Sequence, residues 1–160
     1  TIPRRVTHNE TTIKYILFVY KGEVLCAIDL DTVMNSTSLN DFGDAIRSYA
    51  NTGEEDDRDL SRVGMSLDMF RAYTEGYLSQ RAKQLTAPEI DHLAFSARYI
   101  TFEQVLRFLM DYIDGDTYYK IKYPEHNLVR TRAQYKLLRS MEEQYGTMCD
   151  IVRETVAKYR

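Results

Sequence analysis

The spacing of apolar positions changes once along the chain. Before residue 31, two β-prone runs, Lys14 to Tyr20 (KYILFVY) and Val24 to Leu30 (VLCAIDL), flank Lys21-Gly22-Glu23. Aromatic and β-branched residues around a short Gly-containing turn predict a hairpin. Beyond Asp31 the spacing becomes helical. A loop rich in Ser, Thr and Asn (Asn35 to Asn40) leads to a helix expected from near Asp41, with Ala45, Ile46 and Tyr49. Leu67, Phe70, Ala72, Tyr73, Tyr77 and Leu78 form a second stripe. Thr86-Ala87-Pro88-Glu89 reads as a helix start, with Thr86 as N-cap, Pro88 in the first turn and Glu89 at capping-box spacing. That helix carries Ile90, Leu93, Ala94 and Ala97. Another stripe runs through Phe102, Val105, Leu106, Leu109, Met110 and Ile113 to Asp114-Gly115. A long helix from near Asn127 shows Leu128, Tyr135, Leu138, Met141, Tyr145, Met148 and Val152. The expected fold is mainly α with one short β-hairpin. Residues 1–34 hold a polar loop and the hairpin, and 35–160 a helical subdomain.

A chain of 160 residues suits one domain or one large lobe. It has no apolar run near the ~20 residues that cross a bilayer, so no membrane span is expected. Thr1 stands first and no charged-then-apolar leader follows, which points to processing or excision from a longer chain. The net charge of −3 argues against nucleic acid as a partner. Residues 117–160 carry +4, but spread along a helical pattern, as on a solvated face. Cys26 and Cys149 read as small buried hydrophobes in a reducing, cytoplasmic compartment. The five carboxylates clustered within Asn51 to Asp59 are expected at the surface. Met65, Met69, Met110, Met141 and Met148 are core candidates, the tyrosines pack core and rim, and His92 and His126 are structural.

Chemistry concentrates between Thr7-His8-Asn9-Glu10 and Asp29-Leu30-Asp31. A polar loop with a carboxylate enters the hairpin, whose second strand ends in a carboxylate pair. Folding the hairpin back returns Asp29 toward Glu10. Acids in both places suit phosphoryl transfer: one takes or positions the attacking hydroxyl, the other holds Mg²⁺ on nucleotide phosphates. The plainer alternative is that acids end strands and begin loops for solvation alone.

Arg5-Val6-Thr7-His8-Asn9-Glu10-Thr11, Ile28-Asp29-Leu30-Asp31-Thr32-Val33-Met34 and Asp41 to Arg47 follow one another in an order that resembles the aminoglycoside phosphotransferase family. So do Arg107-Phe108-Leu109-Met110-Asp111-Tyr112, Gly115-Asp116-Thr117-Tyr118-Tyr119-Lys120 and His126-Asn127-Leu128-Val129-Arg130. Within that family the chain is more similar to the N-acetylhexosamine kinases, and the resemblance runs from Arg5 to about Val152. It implies the helical C-terminal lobe of a protein-kinase-like fold, with the partner N-terminal nucleotide lobe missing from these residues. It also implies ATP and Mg²⁺ as cofactors, held at Asp29 with Asp31, and Asp29 as the metal ligand. By the same resemblance Glu10 takes the place of the catalytic Asp that orients or deprotonates the hydroxyl, His8 belongs to the same catalytic motif and organises its loop, and Arg107 and Tyr118 hold a sugar or other small alcohol.

Two positions depart from the family pattern. Glu10 stands where the family has Asp, one methylene longer. Tyr15 stands where the family has a metal-binding Asn, and a phenol is a poor Mg²⁺ ligand. Asp41-Phe42-Gly43 spells a kinase metal motif but lies too far along the chain, so Asp41 and Asp44 are expected to orient the loop from Asp29 near a helix N-terminus. Arg107 also sits four residues before Asp111 and could pair with it on a helix instead of binding substrate. Three readings result: a substrate and catalytic lobe of a sugar kinase, a catalytically silent lobe that still binds a sugar or a protein, and a helical scaffold without a ligand.

Overall fold

The computed structural model describes all residues, 1–160. Four short strands precede six helices. β1 (Arg5–Thr7) pairs antiparallel with β4 (Met34–Ser36), and β2 (Ile16–Phe18) pairs antiparallel with β3 (Val24–Ala27). The β2–β3 hairpin is the expected one, turning through Lys21 and Gly22, both at positive φ. The β1–β4 ladder is an addition: three residues on each side carry little β signal, but pairing Thr7 with Met34 closes the whole segment into a loop.

Helices follow local signals. Thr37 caps α1 (Ser38–Tyr49) by accepting from the Leu39 N–H, so the helix starts three residues before the expected Asp41. Ser66 caps α2 (Leu67–Arg81) in the same way. Thr86 and Glu89 form the expected capping box at α3 (Ala87–Asp91). The chain bends at His92, whose Nδ1 lies 2.8 Å from the Pro88 carbonyl oxygen, and α4 (Leu93–Ile113) then unites two stripes that the sequence separates. The long terminal helix is likewise two, α5 (His126–Glu143) and α6 (Tyr145–Tyr159). Gln144 lies between them, its amide donating to the Met65 carbonyl at 2.9 Å. No helix is long and apolar enough to cross a membrane.

The core is helical. α4 packs between α1 and α5, α2 packs on α6, and Phe42, Ile46, Phe70, Leu78, Leu93, Leu137, Met141 and Met148 are fully enclosed. α1 meets α4 so closely at Gly43 that an added Cβ would lie 2.5 Å from the Ser96 carbonyl oxygen. Because that neighbour is backbone, Gly43→Ala is expected to destabilise the fold by about 1–3 kcal/mol, measured by urea unfolding.

Several expectations about burial fail for identifiable reasons. Cys26 is exposed, because nothing packs over either face of the β2–β3 hairpin, which also leaves Phe18, Val24 and Leu25 exposed. Met69 and Met110 face solvent from α2 and α4 rather than the core. The acidic segment is not simply solvated: Asp57 is buried, accepting from the Asp59 N–H and facing Arg62. Asp56 pairs with Lys122 and with the enclosed His126, which lies 2.7 Å away and is the largest influence lowering that carboxyl.

Candidate functional site

The β1–β4 ladder brings the loop after Thr7 against the segment after Ala27. His8 Nε2 lies 3.1 Å from the Ile28 carbonyl oxygen, and its Nδ1 accepts from the Glu10 N–H at 3.3 Å. Thr32 Oγ1 donates to the His8 carbonyl at 2.6 Å, and Asn9 Nδ2 to the Thr32 carbonyl at 3.0 Å. His8 therefore organises the loop.

α1 holds the same loop from beneath. The Asp41 carboxylate accepts from the backbone N–H groups of His8 at 3.1 Å and Asn9 at 2.7 Å, and Asp44 accepts from Thr11 at 2.8 Å. Asn9 is thereby kept at φ 64, a left-handed conformation that Asn tolerates and that turns the chain toward Glu10. The expectation for Asp41 and Asp44 is thus corrected. They orient residues 8–11, where unpaired N–H groups need acceptors, rather than the loop from Asp29.

A cavity of about 610 Å³ opens between this loop, β4, α1 and α4. Its lining includes Glu10, Tyr15, Arg107 and Tyr118, gathered from both ends of the chain. Asp29 and Asp31 are not part of that lining. Asp29 sits at φ 65 beyond Tyr15, and the Tyr15 phenol faces the carboxylates of both Asp29 and Glu10. Asp29 first, then burial, then Glu10 push that phenol far above its ordinary pKa, so it stays an uncharged hydroxyl between two acids.

Arg107 does not pair with Asp111. Its guanidinium donates to the Tyr118 hydroxyl at 3.5 Å and lies 5.7 Å from that ring's centroid and 5.6 Å from that of Tyr119. Asp111 is occupied elsewhere, accepting from the backbone N–H groups of Thr117, Tyr118 and Tyr119 at 2.8–2.9 Å and from Asn127 Nδ2 at 2.8 Å. The turn through Gly115 and Asp116, both at positive φ, wraps the backbone around that carboxylate and so positions Tyr118 over the cavity.

Arg47 is a wall residue that sequence reasoning passed over. It is buried, and bonds Asp44 at 2.9 Å, Glu55 at 2.8 Å and Gln134 at 3.3 Å. Burial pulls its pKa down, but the two carboxylates outweigh this and raise it. The Asp44–Arg47 spacing of three on a helix was the available signal. Glu103 and Gln104 of α4 complete the polar wall. The cavity therefore mixes carboxylate, guanidinium, amide and phenol groups with aromatic rings, and can present directed hydrogen bonds to a small polar molecule. No protein-family model matches the chain.

Proposed function

We propose that this chain is the helical catalytic and substrate lobe of a kinase-like, ATP-dependent phosphotransferase, acting on a sugar hydroxyl of the N-acetylhexosamine type. The observation that carries the reading is the convergence of Glu10, Arg107 and Tyr118 on one polar cavity with tyrosine rings in its wall. Glu10 would orient the acceptor hydroxyl or take its proton, a role worth on the order of 10²–10⁴-fold. Arg107 would donate directed hydrogen bonds to sugar oxygens, and the Tyr118 ring would lie against the apolar face of the sugar. Asp29 and Asp31 offer the carboxylate oxygens that Mg²⁺ takes, and an ion bound with nucleotide phosphates needs only one or two of them. The ion would neutralise charge on the transferred phosphoryl group. The exposed apolar hairpin would receive the nucleotide lobe.

Amide chemical-shift mapping with N-acetyl-D-glucosamine tests the site. The reading expects saturable shifts at Glu10, Gln104 and Tyr118. Shifts confined to other surfaces would contradict it. ATP turnover by the 160-residue chain alone is expected to stay at background.

A second reading, a catalytically silent lobe that still binds a sugar or a protein, is favoured by Tyr15. Its uncharged hydroxyl faces both Asp29 and Glu10, at the position where the family pattern has a metal-binding Asn. Tyr15→Asn would exchange that bulk for an amide oxygen. It is expected to tighten Mg²⁺ binding by about tenfold, one ligand's contribution of ~1.4 kcal/mol, read by calorimetric titration of the ion. Unchanged affinity would remove Tyr15 as the obstacle.

A further inference from the structure

α4 carries apolar side chains on two opposite faces. Its inner face, with Leu93, Ala97, Val105 and Phe108, is buried against the neighbouring helices. The outer face of a surface helix normally carries charged and polar residues. Here it carries Phe95, Tyr99, Phe102, Leu106, Met110 and Ile113, which are 43 to 65% exposed. Spacings of three and four keep them on one line for about 27 Å. Half-buried Leu109 adds to the seam; Glu103 and Arg107 stand along its edge toward the cavity, and Arg98 on the other edge is turned to Glu142 and Tyr145. One exposed leucine requires no explanation, but a continuous strip marks a contact surface.

We propose that this strip is a homodimer interface, in which α4 of two copies runs antiparallel about a two-fold axis that crosses the strip at the level of residue 104, between Phe102 and Leu106. The order of side chains points to a second copy. Aromatic rings (Phe95, Tyr99, Phe102) fill the N-terminal half of the strip and aliphatic chains (Leu106, Met110, Ile113) the C-terminal half. Antiparallel pairing sets Phe95 opposite the partner's Ile113 and Phe102 opposite the partner's Leu106. Tyr99 then meets the partner's Leu109 and Met110. Every ring meets a slimmer chain, and Met and Leu adapt to it. A parallel pair would stack ring against ring at three levels. The surface is self-complementary, as a two-fold interface requires. Its alternating spacing is that of two helices crossing at about 20°.

The area is adequate. With about 100 Å² exposed on each of six large side chains, a pair would bury on the order of 1,200 Å², the lower end of stable interfaces. The β2–β3 hairpin is also apolar and exposed, but its side chains divide between two faces of a ribbon and form no single seam.

Sedimentation equilibrium of the full chain between about 1 and about 100 µM tests the proposal. A dimer is expected. Phe102→Glu and Leu106→Lys are each expected to weaken it on the order of 100-fold, with circular dichroism unchanged because both positions are exposed. The double variant sets opposite charges across the axis twice and should restore the dimer. Leu25→Glu in the hairpin should leave it intact. A wild-type monomer throughout, a dimer that survives Phe102→Glu, loss of the dimer with Leu25→Glu, or no recovery in the double variant would each overturn the proposal.

Discussion

Glu89→Gln is expected to lower stability by about 3 kcal/mol, the cost of leaving buried partners of an ion pair unmatched, and so the melting temperature by about 10 °C. The Glu89 carboxylate is fully enclosed and is the common acceptor for three segments. It receives Arg5 at 2.6 and 2.8 Å, Ser38 at 2.8 Å, and the N–H and hydroxyl of Thr86 at 2.8 and 2.9 Å. One group thus joins β1, the start of α1 and the cap of α3. An amide keeps the shape but loses the charge, and turns an NH₂ group toward donors.

The pH dependence identifies the same residue. Arg5 first, working against burial and helped by Thr86 and Ser38, holds the Glu89 carboxyl at about 2, below its ordinary 4.5. Its contribution is therefore complete above about pH 4.5 and fades as pH falls toward 2. Unfolding followed between pH 5 and pH 2 should show the wild type losing its advantage over Glu89→Gln across that interval. A constant difference would assign the stabilisation to other groups.

On the proposed function, Asp111→Asn is expected to weaken sugar binding by about tenfold, with the α-helical content kept. Burial pushes this carboxyl up, but three backbone N–H groups and Asn127 outweigh it and hold it below its ordinary value. An amide there cannot accept from all four donors. The turn from Gly115 to Tyr119 would loosen, and Tyr118 would lose its place beside Arg107. Hydrogen exchange at Thr117, Tyr118 and Tyr119 should accelerate in the variant while α5 amides keep their protection. Equal acceleration in α5 would show a general loss of stability instead.

What the sequence reveals and what it hides divide along contact range. The capping box at Thr86 and Glu89 is legible because both partners lie within one helical turn. The Arg5 partner of Glu89 is not, since nothing in residues 1–10 marks which distant acid will meet it. Asp111 shows the same limit: helical spacing suggests Arg107, whereas the turn after Gly115 delivers three backbone donors that prevail over one exposed cation. Periodicity marks the two halves of α4 as separate stripes and not which side is covered, so Met110 reads as core and lies outside. Neither Gly nor Pro stands at the bends at His92 and Gln144 themselves, where side-chain bonds to the Pro88 and Met65 carbonyls accompany the break. Among the candidate site residues, Glu10, Arg107 and Tyr118 line one cavity in the folded chain, a convergence that no local spacing in the sequence encodes. Nor does the sequence reveal that the Tyr15 phenol faces both Glu10 and Asp29, which depends on where a phenol comes to rest.

The most direct measurement is calorimetric titration of the folded chain with N-acetyl-D-glucosamine and N-acetyl-D-galactosamine, beside Arg107→Ala. Arg107 is exposed and has no carboxylate partner, so its loss leaves the fold intact. The account predicts saturable binding of at least one sugar by the wild type, weakened at least about tenfold in the variant, the equivalent of ~1.4 kcal/mol. No heat with either sugar, or equal affinity in the variant, would contradict a sugar site built on Glu10, Arg107 and Tyr118.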